Sequence, residues 1–280
     1  MTDKTTSRTK PDFPEPGPPN PDTPATILAL ANQKGGVGKT TTTISLGAAL
    51  VETGRKVLLV DLDPQGSMTV GLGFNGPELE TTIYDALIDT GVSADDVILQ
   101  TKTKGLDLLP SNIDLAAAEM QLVNEVGREQ TLARVLNPAR EKYDIILIDC
   151  PPSLGLLTIN ALTAADGVII PLETEYFALR GVALLKETID RVRERINPRL
   201  AIIGLLGTMF DSRTLHAREV MASLVEGWGD LVFHTAIHRT IKFSDATVSG
   251  EPITSFAADS AGAQEYRDLA KEVLARCPGA

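Results

Sequence analysis

The chain alternates short, almost wholly apolar runs with longer segments whose apolar positions recur at helical spacing. Three runs read as strands buried on both faces: Thr26 to Asn32 (TILALAN), Lys56 to Asp63 (KVLLVDLD) and Tyr143 to Cys150 (YDIILIDC). Coarser strand signals stand at Leu106 to Leu109, Gly167 to Pro171, Ala201 to Thr208 and Leu231 to Ile237. Between them the pattern predicts helices at Thr40 to Thr53, Ile113 to Val126, Glu129 to Arg140, Leu156 to Ala164, Leu179 to Ile196, Leu215 to Glu226 and Gly262 to Arg276. Strand and helix in repeated alternation predict an α/β fold: a mainly parallel, twisted sheet with helices on both faces, in one domain over residues 26–280.

Residues 1–25 break the pattern. Prolines crowd the stretch from Pro11 to Pro24, mixed charges surround them and large apolar residues are almost absent, so a disordered tail is expected there. The remaining composition, 43% hydrophobic over 280 residues, is enough for a large core. No apolar run approaches transmembrane length and the N-terminus is polar, which predicts a cytoplasmic protein. Cys150 and Cys277 lie far apart with no C-x-x-C partner, so buried or incidental thiols are expected rather than a zinc site or a disulfide.

The candidate chemistry lies at the end of the first run. Gln33 to Thr41 reads Q-K-G-G-V-G-K-T-T, a phosphate-binding loop of the form G-x-x-x-x-G-K-[ST] with Gln33 in place of the first glycine and an additional lysine, Lys34, behind it. A strand precedes the loop and a helix follows, so unpaired N–H groups and the positive end of the helix dipole face whatever the loop holds. Lys34, Gly35, Gly36, Val37, Gly38, Lys39, Thr40 and Thr41 are therefore candidate phosphate contacts. The bland alternative is a glycine-rich turn with both lysines in solvent; strand, loop, Lys-Thr and helix in succession weigh against it. The second and third runs end in Asp61 with Asp63, and in Asp149, where open α/β sheets bind their ligands. Asp149 is placed like the aspartate that holds Mg²⁺ through water opposite a loop threonine, here Thr40. The alternative for each aspartate alone is a cap on the following helix.

These motifs resemble the ParA (Soj-like) family of the deviant Walker A class of P-loop ATPases, which also contains MinD and the nitrogenase iron protein. The resemblance is carried by K-G-G-V-G-K-T-T, by V-D-L-D-P-Q-G-S at Val60 to Ser67, by I-L-I-D-C-P-P-S at Ile146 to Ser153 and by T-M-F-D-S-R-T at Thr208 to Thr214. It spans nearly everything from Thr26 to the C-terminus and implies a P-loop NTPase fold that uses ATP and Mg²⁺. It further implies that Lys34 crosses a dimer interface to the phosphates held by a second subunit, and that Lys39 and Asp63 serve hydrolysis. Asp61, with Thr40 and Asp149, belongs to the Mg²⁺ shell in this reading, although the division of labour between Asp61 and Asp63 stays open. Met209 and Pro252 fall in segments resembling the family's base-binding region.

The net charge of -11 argues against a dedicated nucleic-acid binder. A local basic patch, doubled in a dimer, is nevertheless sufficient for backbone contact. Arg213, Arg218, Arg239 and Lys242 are the candidates: Arg213 and Lys242 match family positions that contact DNA, and Arg218 and Arg239 are near them in sequence. The expected function is an ATP-dependent partition protein. Its ATP-bound homodimer binds double-stranded DNA without sequence preference on the nucleoid, and a ParB-type partner stimulates hydrolysis and release. The alternative is a MinD-like ATPase positioned at the membrane, which should end in a basic amphipathic helix; the terminal EYRDLAKEVLARCPGA is a poor match. An iron-sulfur ATPase needs two bridging cysteines that the spacing of Cys150 and Cys277 does not supply. An ATP-dependent ligase on the same fold is a remote option, because fold does not dictate function.

Overall fold

Among the described residues seven strands form one sheet, ordered from edge to edge Leu99–Gln100, Leu106–Leu109, Val57–Asp61, Ile145–Asp149, Thr26–Leu30, Gly167–Glu173 and Ala201–Thr208. The computed structural model describes residues 11, 13–20, 22–175 and 178–277. In chain order the strands are β1 (Thr26–Leu30), β2 (Val57–Asp61), β3 (Leu99–Gln100), β4 (Leu106–Leu109), β5 (Ile145–Asp149), β6 (Gly167–Glu173) and β7 (Ala201–Thr208). All neighbours pair parallel except the short edge strand β3, which runs antiparallel to β4. The helices are α1 (Lys39–Glu52), α2 (Ser67–Gly71), α3 (Ile83–Ile88), α4 (Leu115–Leu122), α5 (Thr131–Leu136), α6 (Leu156–Ala164), α7 (Ala178–Arg195), α8 (Leu215–Trp228), α9 (Lys242–Ser249), α10 (Ile253–Phe256) and α11 (Ala261–Arg276).

The period of two along each strand divides the core into two layers. Ile27, Ala29, Leu58, Val60, Ile146 and Ile148 face one hydrophobic cluster, while Leu28, Leu30, Val57, Leu59, Ile145 and Leu147 face the other. Burying each Leu, Ile or Val fully stabilises the fold by roughly 1.5–3 kcal/mol over leaving it in water. This explains why the central runs read as unbroken apolar sequence. On the second layer α11 lies against α1 and buries Tyr266, Leu269 and Val273, with the Tyr266 hydroxyl 3.2 Å from Thr42 Oγ1. The C-terminal helix therefore spends its apolar face on the core. Among the described residues no helix is long and apolar enough to cross a membrane.

Several expectations need correction. Leu231 to Ile237 is not a regular strand: it meets β7 through the bridge between Leu205 and Val232 and a bond from Ile237 N–H to Gly207 O of 2.9 Å. Two of its amides are taken by a side chain instead, His234 N–H and Thr235 N–H donating to the fully buried Glu272 carboxylate at 2.9 and 3.1 Å. The helix expected from Glu129 to Arg140 is broken into a 3₁₀ turn at Arg128–Gln130, α5, and a second 3₁₀ turn at Asn137–Glu141 that carries Pro138, whose ring supplies no amide to an α-helix. The helix expected over Ile113 to Val126 is confined to α4, and Gly127 beyond it is left-handed with φ 71°. Both cysteines are buried and free. Of the tail expected over residues 1–25, residues 1–10, 12 and 21 lie outside the described residues; in the described part Phe13 stands edge-on to His234, and Glu15 pairs with Lys271.

Candidate nucleotide site

The phosphate-loop candidates occupy the turn from β1 to α1. Gly36 and Gly38 adopt φ of 75° and 82°, a left-handed backbone that any side chain would strain, and Gly38 is the N-cap of α1. No side chain caps the helix, so its first-turn amides face the loop's concavity. Two contacts to distant strands and one within the loop hold it. Thr208 Oγ1 donates to Val37 O at 2.8 Å, Asn32 Nδ2 donates to Pro171 O at 2.7 Å, and Asn32 Oδ1 accepts from Lys34 N–H at 3.0 Å. Lys39 is only 7% exposed and its ammonium folds back on the loop, 3.3 Å from Lys34 O. A desolvated cation surrounded by outward backbone amides is built to receive a polyphosphate.

The parallel register of β2 and β5 sets Asp61 opposite Asp149, both fully buried at the sheet's C-terminal edge. Asp149 Oδ2 accepts from Thr40 Oγ1 at 2.6 Å, while its Oδ1 is buried with no protein partner. Burial first, then the nearby Asp61 charge, pushes the Asp149 carboxyl up to about 8. An orphaned carboxylate oxygen beside a loop hydroxyl suits a hard divalent cation or its water, and a positive charge there would relieve the raised carboxyl. Asp61 differs in that its oxygens are engaged. Oδ2 accepts from Thr69 N–H at 2.8 Å and Thr69 Oγ1 at 2.7 Å, and Oδ1 accepts from Asp63 N–H at 3.3 Å. Burial raises its carboxyl to about 6 against these bonds. Asp61 thus ties α2 to β2 and shapes the turn that presents the half-buried Asp63. Ser111 completes the brace, its Oγ donating to Asp63 O at 2.9 Å and its N–H to Thr69 Oγ1 at 3.0 Å.

Lys34, the additional lysine, stays outside this cradle. Its side chain is 41% exposed and its ammonium donates to Glu173 Oε2 at 3.0 Å and Glu175 Oε2 at 2.8 Å, which hold the lysine protonated above its ordinary range, Glu175 first. Glu173 Oε1 lies 3.5 Å from Arg239 Nη2, so one carboxylate joins two cations at the rim. Beside the loop opens a cleft of about 360 Å³, lined at the phosphate end by Gly38 and Thr41 and further out by Met209, Ile237, Ile241, Phe243 and Tyr266. Met209 carries the sole positive φ outside glycine among the described residues, 51°, and it is a wall of this cleft. Pro252 is not; it is buried in an adjoining crevice that shares Thr41, Phe243 and Thr247.

The basic candidates separate in space. Arg213 is 88% exposed and forms a bidentate pair with Asp211 at 2.9 and 2.8 Å, which holds that carboxyl down at about 2. Arg218 on α8 and Lys242 at the start of α9 are exposed; Arg239, also exposed, lines the cleft. Sequence reasoning passed over Asn32, Thr69, Ser111, Glu173, Glu175 and the Thr208 hydroxyl. Only Thr208, inside a quoted motif, carried a signal.

The chain matches the family described as "AAA domain" over residues 25–202. It is 47% identical to the sporulation initiation inhibitor protein Soj of Bacillus subtilis over 249 residues, 89% of this chain and 98% of that protein. It is 44% identical to the chromosome partitioning protein ParA of Caulobacter vibrioides over 255 residues, covering 90% of this chain and 95% of the relative. Among solved structures it resembles the cobyrinic acid a,c-diamide synthase of Mycobacterium smegmatis with bound ATP analog and magnesium. The TM-score is 0.78 at 44% identity, over 88% of this chain and 93% of that one.

Proposed function

The chain belongs to the ParA/Soj family of chromosome-partitioning P-loop ATPases, and from that premise we propose that it is an ATP-hydrolysing DNA-partitioning switch. The observation that carries this reading is the Lys39, Thr40 and Asp149 assembly at the sheet edge with a further lysine held just outside it. The loop amides and Lys39 bind the β- and γ-phosphates of ATP, and Thr40 and Asp149 hold Mg²⁺. When bound, Mg²⁺ would supply neutralisation of the phosphate charge. Asp63, on the turn braced by Asp61 and Ser111, orients the attacking water. Lys34 exchanges Glu173 and Glu175 for the phosphates bound by a second copy of the chain, so that dimerisation completes the site. Turnover by the chain alone is slow, because the sequence motifs carry neither an arginine finger nor a Ras-type glutamine. ATP thereby favours a dimer whose exposed Arg213, Arg218 and Lys242 contact DNA phosphates, and a ParB-type partner resets it through hydrolysis.

The test is binding of a sequence-random duplex to the purified protein with ATP, with ADP and without nucleotide, across a salt series. ATP-dependent binding that weakens steeply with salt is expected. ATP-dependent dimers without DNA binding in any state would overturn the DNA half of the proposal and favour a protein- or membrane-targeting ATPase. The name of the Mycobacterium smegmatis neighbour favours one second reading, an ATP-dependent diamide synthase. ATP turnover that depends on added cobyrinic acid would establish it in place of the partition switch.

A further inference from the structure

Among the described residues, Arg239 is the sole Lys or Arg lining the cleft beside the phosphate loop, and its backbone is stitched to the strand extension that carries Met209. Ile237 N–H donates to Gly207 O at 2.9 Å, Phe210 N–H to Ile237 O at 3.0 Å and Arg239 N–H to Phe210 O at 3.4 Å. The side chain is held as firmly as an exposed arginine can be: Nη2 lies 3.8 Å from Met209 Sδ and 3.5 Å from Glu173 Oε1. Glu173 is itself anchored by Lys34 through its other oxygen. These contacts engage the edge of the guanidinium, where its donors are, and leave its planar face without a hydrogen-bonding duty.

We propose that Arg239 positions the nucleoside, laying its guanidinium over the purine base of the bound triphosphate, and is not a DNA contact. This rests on the reading that the cleft receives ATP. The remaining walls fit a flat apolar ring: Ile237, Ile241, Phe243 and Tyr266 bound a space of about 360 Å³, within the range of small-ligand sites, that opens at Gly38 and Thr41 toward the phosphates. An arginine face stacks on an aromatic ring with both dispersion and cation–π attraction. Arg213 has neither feature, since both ends of its guanidinium are spent on Asp211 at the open surface.

The experiment measures displacement of a fluorescent ATP analogue from the full chain by ATP and by inorganic tripolyphosphate, for wild type, Arg239→Ala and Arg239→Lys. Arg239→Ala is expected to weaken ATP about tenfold and leave tripolyphosphate within twofold, and Arg239→Lys to recover less than half of the loss. DNA affinity at saturating ATP is expected to stay within twofold. Equal losses for ATP and tripolyphosphate, or full recovery by Lys, would overturn stacking in favour of a plain charge effect. Unchanged ATP affinity with weakened DNA binding would return Arg239 to the DNA face. Failure of the wild-type protein to bind ATP would instead bring down the reading of the site, and this assignment with it.

Discussion

Replacing Asp149 by Asn separates what the site costs the fold from what it does. The wild-type carboxyl is fully buried, leaves Oδ1 without a partner and is pushed up to about 8, against 3.8 for an ordinary Asp. Between those values the folded chain holds a proton that the unfolded chain has released, so stability falls as pH rises through the window. At about 1.4 kcal/mol per unit, the roughly three units between an unfolded Asp and neutral pH amount to about 4 kcal/mol in metal-free protein. Asn still accepts from Thr40 and no longer titrates, but its amide occupies the orphaned position at a cost of about 1 kcal/mol. Asp149→Asn should therefore be about 2–3 kcal/mol more stable than wild type near pH 7, raising Tm on the order of 5–10 °C, with the difference closing toward pH 4. Thermal unfolding in EDTA from pH 4 to 8 measures this. With ATP and Mg²⁺ the order should invert, because only wild type gains stability from the loaded site. A variant less stable than wild type at pH 7 in EDTA, or a gap that does not vary with pH, would refute the reasoning.

The other predictions concern the proposed cycle. Lys34→Ala should bind ATP within about threefold of wild type yet lose ATP-dependent dimers, and normal dimers on a sizing column would remove the lysine from the interface. Asp63→Ala should keep the dimer and lower hydrolysis on the order of a hundredfold, the scale of a lost general base; phosphate release at the wild-type rate would contradict its role. Arg213→Glu combined with Lys242→Glu should abolish salt-sensitive DNA binding while ATP-dependent dimers persist, and an unchanged salt slope would exclude that patch.

Local chemistry explains what was legible beforehand. Strands buried on both faces must be apolar at every position, so β1, β2 and β5 announced themselves as runs, and the loop between β1 and α1 needs glycines where φ is positive and Lys-Thr where phosphate and metal would lie. Elements stabilised by distant partners gave no such sign. The five-residue α2 is short for a free helix and rests on Asp61 through Thr69, and α10 is shorter still. Leu231 to Ile237 has strand-like composition, but Glu272, 38 residues beyond His234, takes amides that a ladder would use.

The sequence by itself determined the parallel α/β class, the phosphate loop and the carboxylates at the strand ends, because each is written in contiguous residues whose period or spacing serves one local geometry. Tertiary structure alone decided that Asp61 is spent on bracing while Asp149 keeps an unpartnered oxygen, and that Lys34 rests on Glu173, 139 residues away. It also set Arg239 in the wall of the cleft beside the phosphate loop. Those outcomes depend on which side chains compete for the same donors and carboxylates once the strands align. That competition is set by distance in space, which sequence separation does not encode.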